Sequence, residues 1–205
     1  MSDRTDVPPP RSLDEQRNEF ARRRFLAMPL AGTIAWTVAG VCGLFLPPRL
    51  AGIVLFAATG SIFYLALLLA RFTGEDLLGR SRPKNAFDTL FLLAIAMALL
   101  VYAIAIPFYH QDPTSLPLTI GVLTGLMWLP FSWIIGHWIG IAHGIGRTLA
   151  IVAIWHLLPG QRLVAVPAVI VLIYAATIAV LESRWRRLAA RDAAAAGFEV
   201  RRAAT

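Results

Sequence analysis

The 205-residue chain has one cysteine, Cys42, and it lies inside an apolar run. An intramolecular disulfide is excluded, which leaves Cys42 as a small packing residue. Catalytic signatures are missing as well: there is no P-loop, no HExxH and no GxSxG. Charge is absent over long distances. Between residues 116 and 159, more than forty positions hold a single charged side chain, Arg147. A soluble surface could not be built from such stretches.

What is present is apolar. Hydrophobic residues make up 58% of the chain and the mean hydropathy is +0.66, too apolar for a domain that must stay in water. The net charge of +7 could be taken for nucleic-acid binding. Its placement argues otherwise. Six basic residues fall in residues 1–26, four in 71–85 and six in 184–202, and only Arg49, Arg147 and Arg162 lie elsewhere. Membrane-length apolar runs separate the blocks, so the partners expected are the lipid bilayer and anionic lipids at its cytoplasmic face, and not nucleic acid.

The pattern predicts an all-α, polytopic membrane protein with six transmembrane helices. Residues 1–26 form a cytoplasmic tail and surface helix. Residues 1–11 contain Pro8, Pro9 and Pro10 and are expected to be disordered; Ser12 and Glu15 then make a capping box that opens the helix. Residues 27–181 form the transmembrane domain, with spans at about 27–46, 50–70, 86–108, 116–135, 138–158 and 163–181. Residues 182–205 form a cytoplasmic helix and tail. The first run is too long for a cleaved signal and is read as a retained span.

The stretch from 116 to 159 would be roughly 65 Å long as one helix, about twice the hydrocarbon thickness, so it must fold back. Leu129-Pro130 and Gly136-His137 compete as the break. The second gives two spans of near-equal length, with Pro130 as a kink in the fourth. The three basic blocks then share a side. By the positive-inside rule both termini are cytoplasmic and the protein belongs to the inner (plasma) membrane.

Arg147 then lies roughly 13–14 Å into span 5, close to the bilayer midplane. Arginine at that depth costs about 2.5–3.5 kcal/mol on insertion scales, and the fold must supply acceptors. His143 is one turn earlier, where Arg147 favours a neutral imidazole that acts as a hydrogen-bonding partner. Gly136, Gly140 and Gly144 share this face and form a small-residue ladder for close helix packing; Trp138, Ile145, Leu149 and Val152 lie opposite. The candidate binding residues are Arg147, His143 and two possible counter-charges, Asp88 at the start of span 3 and Glu182 at the end of span 6. Thr119, Thr124, Tyr102 and Tyr174 are neutral alternatives. One reading is a static clasp that locks spans 3, 5 and 6; the other is an anion or proton-linked site in a cavity.

Other polar residues carry less. His110 and His156 sit near the outer face without further ligands around them, so no metal or cofactor is expected. Trp128, Trp133, Trp138 and Trp155 suit span ends or lipid-facing positions. Glu75 and Asp76 fall in a net basic loop and are expected to be solvated, with Arg80, Arg82 and Lys84 facing lipid phosphate.

The residues Gly136-His137-Trp138-Ile139-Gly140, His143, Arg147-Thr148, Trp155 and Pro159 resemble a group of small multi-pass bacterial membrane proteins without an assigned function. The resemblance implies a family marked by this helix and carries over no activity. Pro29-Leu30 and Pro117-Leu118 open spans 1 and 4 alike and hint at an inverted repeat. Three functions are carried forward: a small-solute transporter or channel around Arg147 and His143, a non-transporting scaffold or accessory subunit, and, third, a membrane enzyme. A monomer and a homo-oligomer both remain open.

Overall fold

The computed structural model describes residues 11–203, which form helices joined by loops, with no strand among them. Most of the tail expected at residues 1–11 lies outside the described residues. Helix α1 (Leu13–Ala21) begins on the capping box: Ser12 Oγ accepts from Glu15 N at 3.2 Å, and Glu15 Oε2 accepts from Ser12 N at 2.8 Å. Next come α2 (Ala27–Phe45), α3 (Pro48–Gly60) and α4 (Ile62–Thr73), then α5 (Ala86–Leu100) and α6 (Tyr102–Gln111). The second half comprises α7 (Leu116–Gly125), α8 (Trp128–Ile135), α9 (Ile139–Leu157) and the long α10 (Arg162–Ala203).

Among the described residues, five stretches are long and apolar enough to cross a membrane: Ala27–Phe45, Ala86–Gln111, Pro113–Ile135, Ile139–Leu157 and Pro159–Glu199. The pair α3 and α4 adds a sixth if the 49° bend between them interrupts one span. These helices mark the chain as a multi-pass membrane protein.

The breaks have local causes. Pro130 lacks the N–H that would reach the Leu126 carbonyl, so that carbonyl accepts from Leu129 N at 3.1 Å instead. The helix therefore breaks four residues before the proline, between α7 and α8, with Pro130 in the first turn of α8. The chain reverses at Gly136, whose φ of 60° ends α8 in a left-handed cap.

The core is α2 packed along α10 and α10 along α9. Small residues set the approach. Gly40 and Gly43 of α2 lie against the α10 stretch around Pro167, where a Cβ on Gly43 would run into the Leu163 carbonyl. That carbonyl is the one Pro167 leaves without its helical donor. Gly32 makes room in the same way for Tyr174, whose ring would meet a Cβ there at 2.6 Å.

At one end the basic blocks gather into a belt. Arg24 forks onto Glu182 at 2.9 and 2.8 Å and donates to the Thr73 carbonyl, and Arg22 pairs with Asp192 at 2.7 Å. Arg11 donates to the Lys84 carbonyl, and Gln16 bonds both Asn85 and Ala86 N. Phe20, 2% exposed, packs under α1 against Phe25, Phe87 and Phe91. Helix α1 thus docks on the chain's own bundle. At the opposite end Arg162 stacks on Trp155 at 3.5 Å and stands 3.7 Å from Asp112, while the Arg49 carbonyl accepts from Tyr109.

The loop after α4 corrects one expectation. Gly74 (φ 73°) turns the chain back so that Glu75 Oε1 accepts from Leu26 N at 3.1 Å and Ala27 N at 2.8 Å. Leu26 gives α2 no side-chain cap, so a carboxylate from another segment does the capping. Glu75 is therefore partly buried and engaged, not solvated. Burial pushes its carboxyl above the ordinary range, against the Thr73 hydroxyl, the backbone donors and Arg24, which favour the ionised form. Asp76 goes the other way: the Ser81 hydroxyl and amide hold it at about 2.

The sign for Glu75 follows from linkage. A carboxyl with a raised folded pKa contributes stability below its unfolded value of 4.5, and that contribution is lost as pH rises through the folded value. Glu75→Gln keeps an acceptor oxygen for α2 without a charge to bury. It is expected to unfold at a higher temperature than the parent at neutral pH, with the gap closing on acidification. Thermal unfolding in detergent from about pH 4 to 8 checks this, and a gap that widens in acid refutes it.

Candidate functional site

Arg147 stands at the middle of α9 and is 0% exposed. Its Nη1 donates to the Tyr174 hydroxyl at 3.3 Å and its Nη2 to Thr124 Oγ1 at 3.1 Å. The guanidinium carbon lies 5.3 Å from the Trp36 ring centroid and 5.5 Å from that of Tyr174. The cation is thus held by hydroxyls and aromatic faces from α2, α7 and α10. Gly125 makes this possible, because a Cβ there would meet Arg147 Cδ at 3.1 Å and Nε at 3.3 Å. The guanidinium Nε is buried without a partner.

His143 is 1% exposed and belongs to the same cluster. Thr177 Oγ1 donates to the Ile173 carbonyl at 2.8 Å, which commits its proton, so His143 Nδ1 is the donor in the 2.8 Å bond between His143 and Thr177. His143 Nε2 has no partner. The imidazole stacks on Trp128 at 4.1 Å and meets Tyr174 edge-on at 4.9 Å.

Among the described residues no carboxylate joins this cluster. Asp88 is bound by Arg23, with the longer of two bonds at 3.2 Å, and Glu182 by Arg24. Both acids are held by arginines of the segment joining α1 to α2, at the surface belt. Of the neutral alternatives, Thr124 and Tyr174 hold Arg147. Tyr102 instead bonds Thr59 at 2.7 Å, and Thr119 bonds its own helix backbone.

The glycines divide. A Cβ on Gly140 would strike the Trp128 carbonyl and meet Ser132 Cβ at 2.7 Å, and one on Gly144 would meet Leu129 at 3.3 Å, so α9 lies tight against α8 at both. Gly136 does not continue the ladder. It is the turn after α8, and a Cβ there would meet nothing within 4 Å. The opposite face is exposed, with Trp138 at 60% and Leu149 at 65%. Trp128 departs from its expected place, being 8% exposed beneath His143, since α8 turns inward after the break.

Four residues of the cluster are not singled out as site residues by the sequence: Trp36, Gly125, Trp128 and Thr177. One signal exists for Gly125, namely its adjacency to Thr124, a candidate partner of Arg147.

A cavity of about 100 Å³ adjoins the cluster. Its wall includes Thr124, Trp128 and Tyr174 at the cluster, Thr59 and Tyr102 along α3 and α6, and Glu75 at the belt. Among the described residues no group of three or more His, Cys, Asp or Glu side chains could hold a metal ion.

A family model matches residues 13–184, most of the chain. The chain belongs to the DUF7010 family, a family of unknown function. The DUF7010 match runs from α1 to Arg184 and takes in the surface belt, the cavity and the Arg147 cluster, well beyond residues 136–159. No curated protein and no solved structure matches the chain.

Proposed function

We propose that the protein is a small-solute transporter or channel. In this reading it crosses the inner membrane six times, with α3 and α4 as one broken span and both termini in the cytoplasm. The supporting observation is the cavity wall: Thr124 and Tyr174, which bond Arg147, also line the cavity. A solute there meets hydroxyls polarised by a buried cation that no carboxylate among the described residues neutralises, an arrangement suited to an acidic or acceptor group. The concentration of basic residues at the belt end supports the orientation.

The second reading, a scaffold or accessory subunit, has its own support. Arg147 is 0% exposed and does not itself line the cavity. Reconstitution separates the two. In proteoliposomes assayed for proton and small-anion flux, Tyr174→Phe and Thr124→Val are expected to lower flux about tenfold while remaining folded, the scale of removing one hydrogen bond from a desolvated site. Absence of flux in the parent, with both variants less stable, would favour the scaffold.

A further inference from the structure

The core cavity lies where three spans are interrupted. Gly60 closes α3 at its bend into α4, Tyr102 opens α6 just past the end of α5, and Met127 falls between α7 and α8; all three line the cavity. Interrupted helices inside a membrane are tolerated where they border a cavity, and transport proteins bind their solutes at such breaks. Most of the wall is apolar, with Phe63, Ile95, Leu99 and Phe131 in it.

The polar groups of the wall differ in where their protons go. Thr59 Oγ1 donates to the Leu55 carbonyl at 2.7 Å, so the Tyr102 hydroxyl gives its proton to Thr59. Thr124 Oγ1 donates to the Ile120 carbonyl at 2.6 Å while it accepts from Arg147. Two wall donors are left unspent among the described residues. The Tyr174 hydroxyl accepts from Arg147, and its own proton is uncommitted. Trp128, 8% exposed, gives its Nε1–H to no acceptor, and that atom is not sealed off by its neighbours. The two rings adjoin, with centroids 6.1 Å apart. Behind Tyr174 stands Arg147, with no carboxylate against it among the described residues. The acidic wall residue, Glu75, is at the belt, where its Oε1 holds the Leu26 and Ala27 amides.

We propose that the core cavity binds a small monocarboxylate with an apolar tail. One carboxylate oxygen accepts from Tyr174 O–H and the other from Trp128 Nε1–H, and the anion supplies the charge that Arg147 lacks. The tail lies among Phe63, Ile95 and Leu99. An apolar cavity of roughly 150 Å³ holds benzene, so one of about 100 Å³ limits the tail to a few carbons. A polar tail would lose its water without finding partners. The ligand's being transported rests on the reading above; its class rests on the donors and the wall.

The test is calorimetric titration of the full chain in detergent with isovalerate, its neutral amide isovaleramide, and lactate. Isovalerate is expected to bind about tenfold tighter than the other two, and Tyr174→Phe and Trp128→Phe each to weaken it about tenfold, the effect of one charge-assisted bond. Ala98→Phe, which fills the cavity from α5, is expected to abolish binding. Equal binding of isovalerate and isovaleramide, no binding of isovalerate to the parent, or parent-like binding by the folded variants overturns the site. Isovalerate binding without flux leaves the site standing and counts against transport. Proton or chloride flux without isovalerate binding does the reverse.

Discussion

Arg147→Ala is expected to lose about 3–5 kcal/mol of stability in detergent, the range seen when one partner of a buried charged cluster is removed or a large core side chain is cut back. The variant empties the space between Trp36, Gly125 and Tyr174 and leaves the Tyr174 hydroxyl without its partner. Arg147→Met fills that space with an apolar chain of similar length and has no cation to desolvate. It should recover most of the loss, because buried ions replaced by well-packed apolar groups are often near neutral. Arg147→Gln falls between them. All three are expected to abolish flux if the cluster acts on a solute. A stable Arg147→Met variant that still transports would refute the role given to the guanidinium.

Two glycines of α9, six residues apart, should respond oppositely to one added methyl group. Gly140→Ala sets a Cβ against the Trp128 carbonyl and Ser132, where the obstacle is partly backbone and cannot rotate away. Overpacking of this kind costs about 1–3 kcal/mol, with this contact at the upper end. Separation of α8 from α9 should also displace Trp128 from His143, which a weaker near-ultraviolet circular dichroism signal would report. Gly146→Ala meets nothing within 4 Å and gains about 0.5–1 kcal/mol from the better helix former. Equal effects at both positions would mean that α9 does not pack as described.

These two glycines also show where the sequence stops being legible. Spacing along the helix places Gly140, Gly144, His143 and Arg147 on one face, since 3.6-residue periodicity is a property of the chain alone. Which helix meets that face is a property of the bundle. Apolar spans look alike to one another, so Trp36 on α2 and Gly125 on α7 carry no mark of lying beside Arg147. Asp88 and Glu182 are conspicuous as acids near apolar spans, yet the nearest cations in space are Arg23 and Arg24, which arrive from the segment after the chain's first helix. Glu75 is concealed by the basic loop around it. Its role depends on Leu26 and Ala27, 49 and 48 residues earlier, and no local pattern encodes a cap supplied from that distance.

Helix α8 ends on carbonyls that two distant arginines satisfy. Arg17 donates to those of Trp133 and Ile134, and Arg184 to that of Ile135 at 3.1 Å. Arg17 precedes Ile134 by 117 residues, whereas Arg184 follows Ile135 by 49. A nascent chain that has just delivered α8 to the bilayer therefore holds one of these donors and lacks the other until the final helix has been synthesised. Closure of this end is a late step of biogenesis, and a chain truncated before residue 184 would carry the reversal at Gly136 with one of its clamps missing.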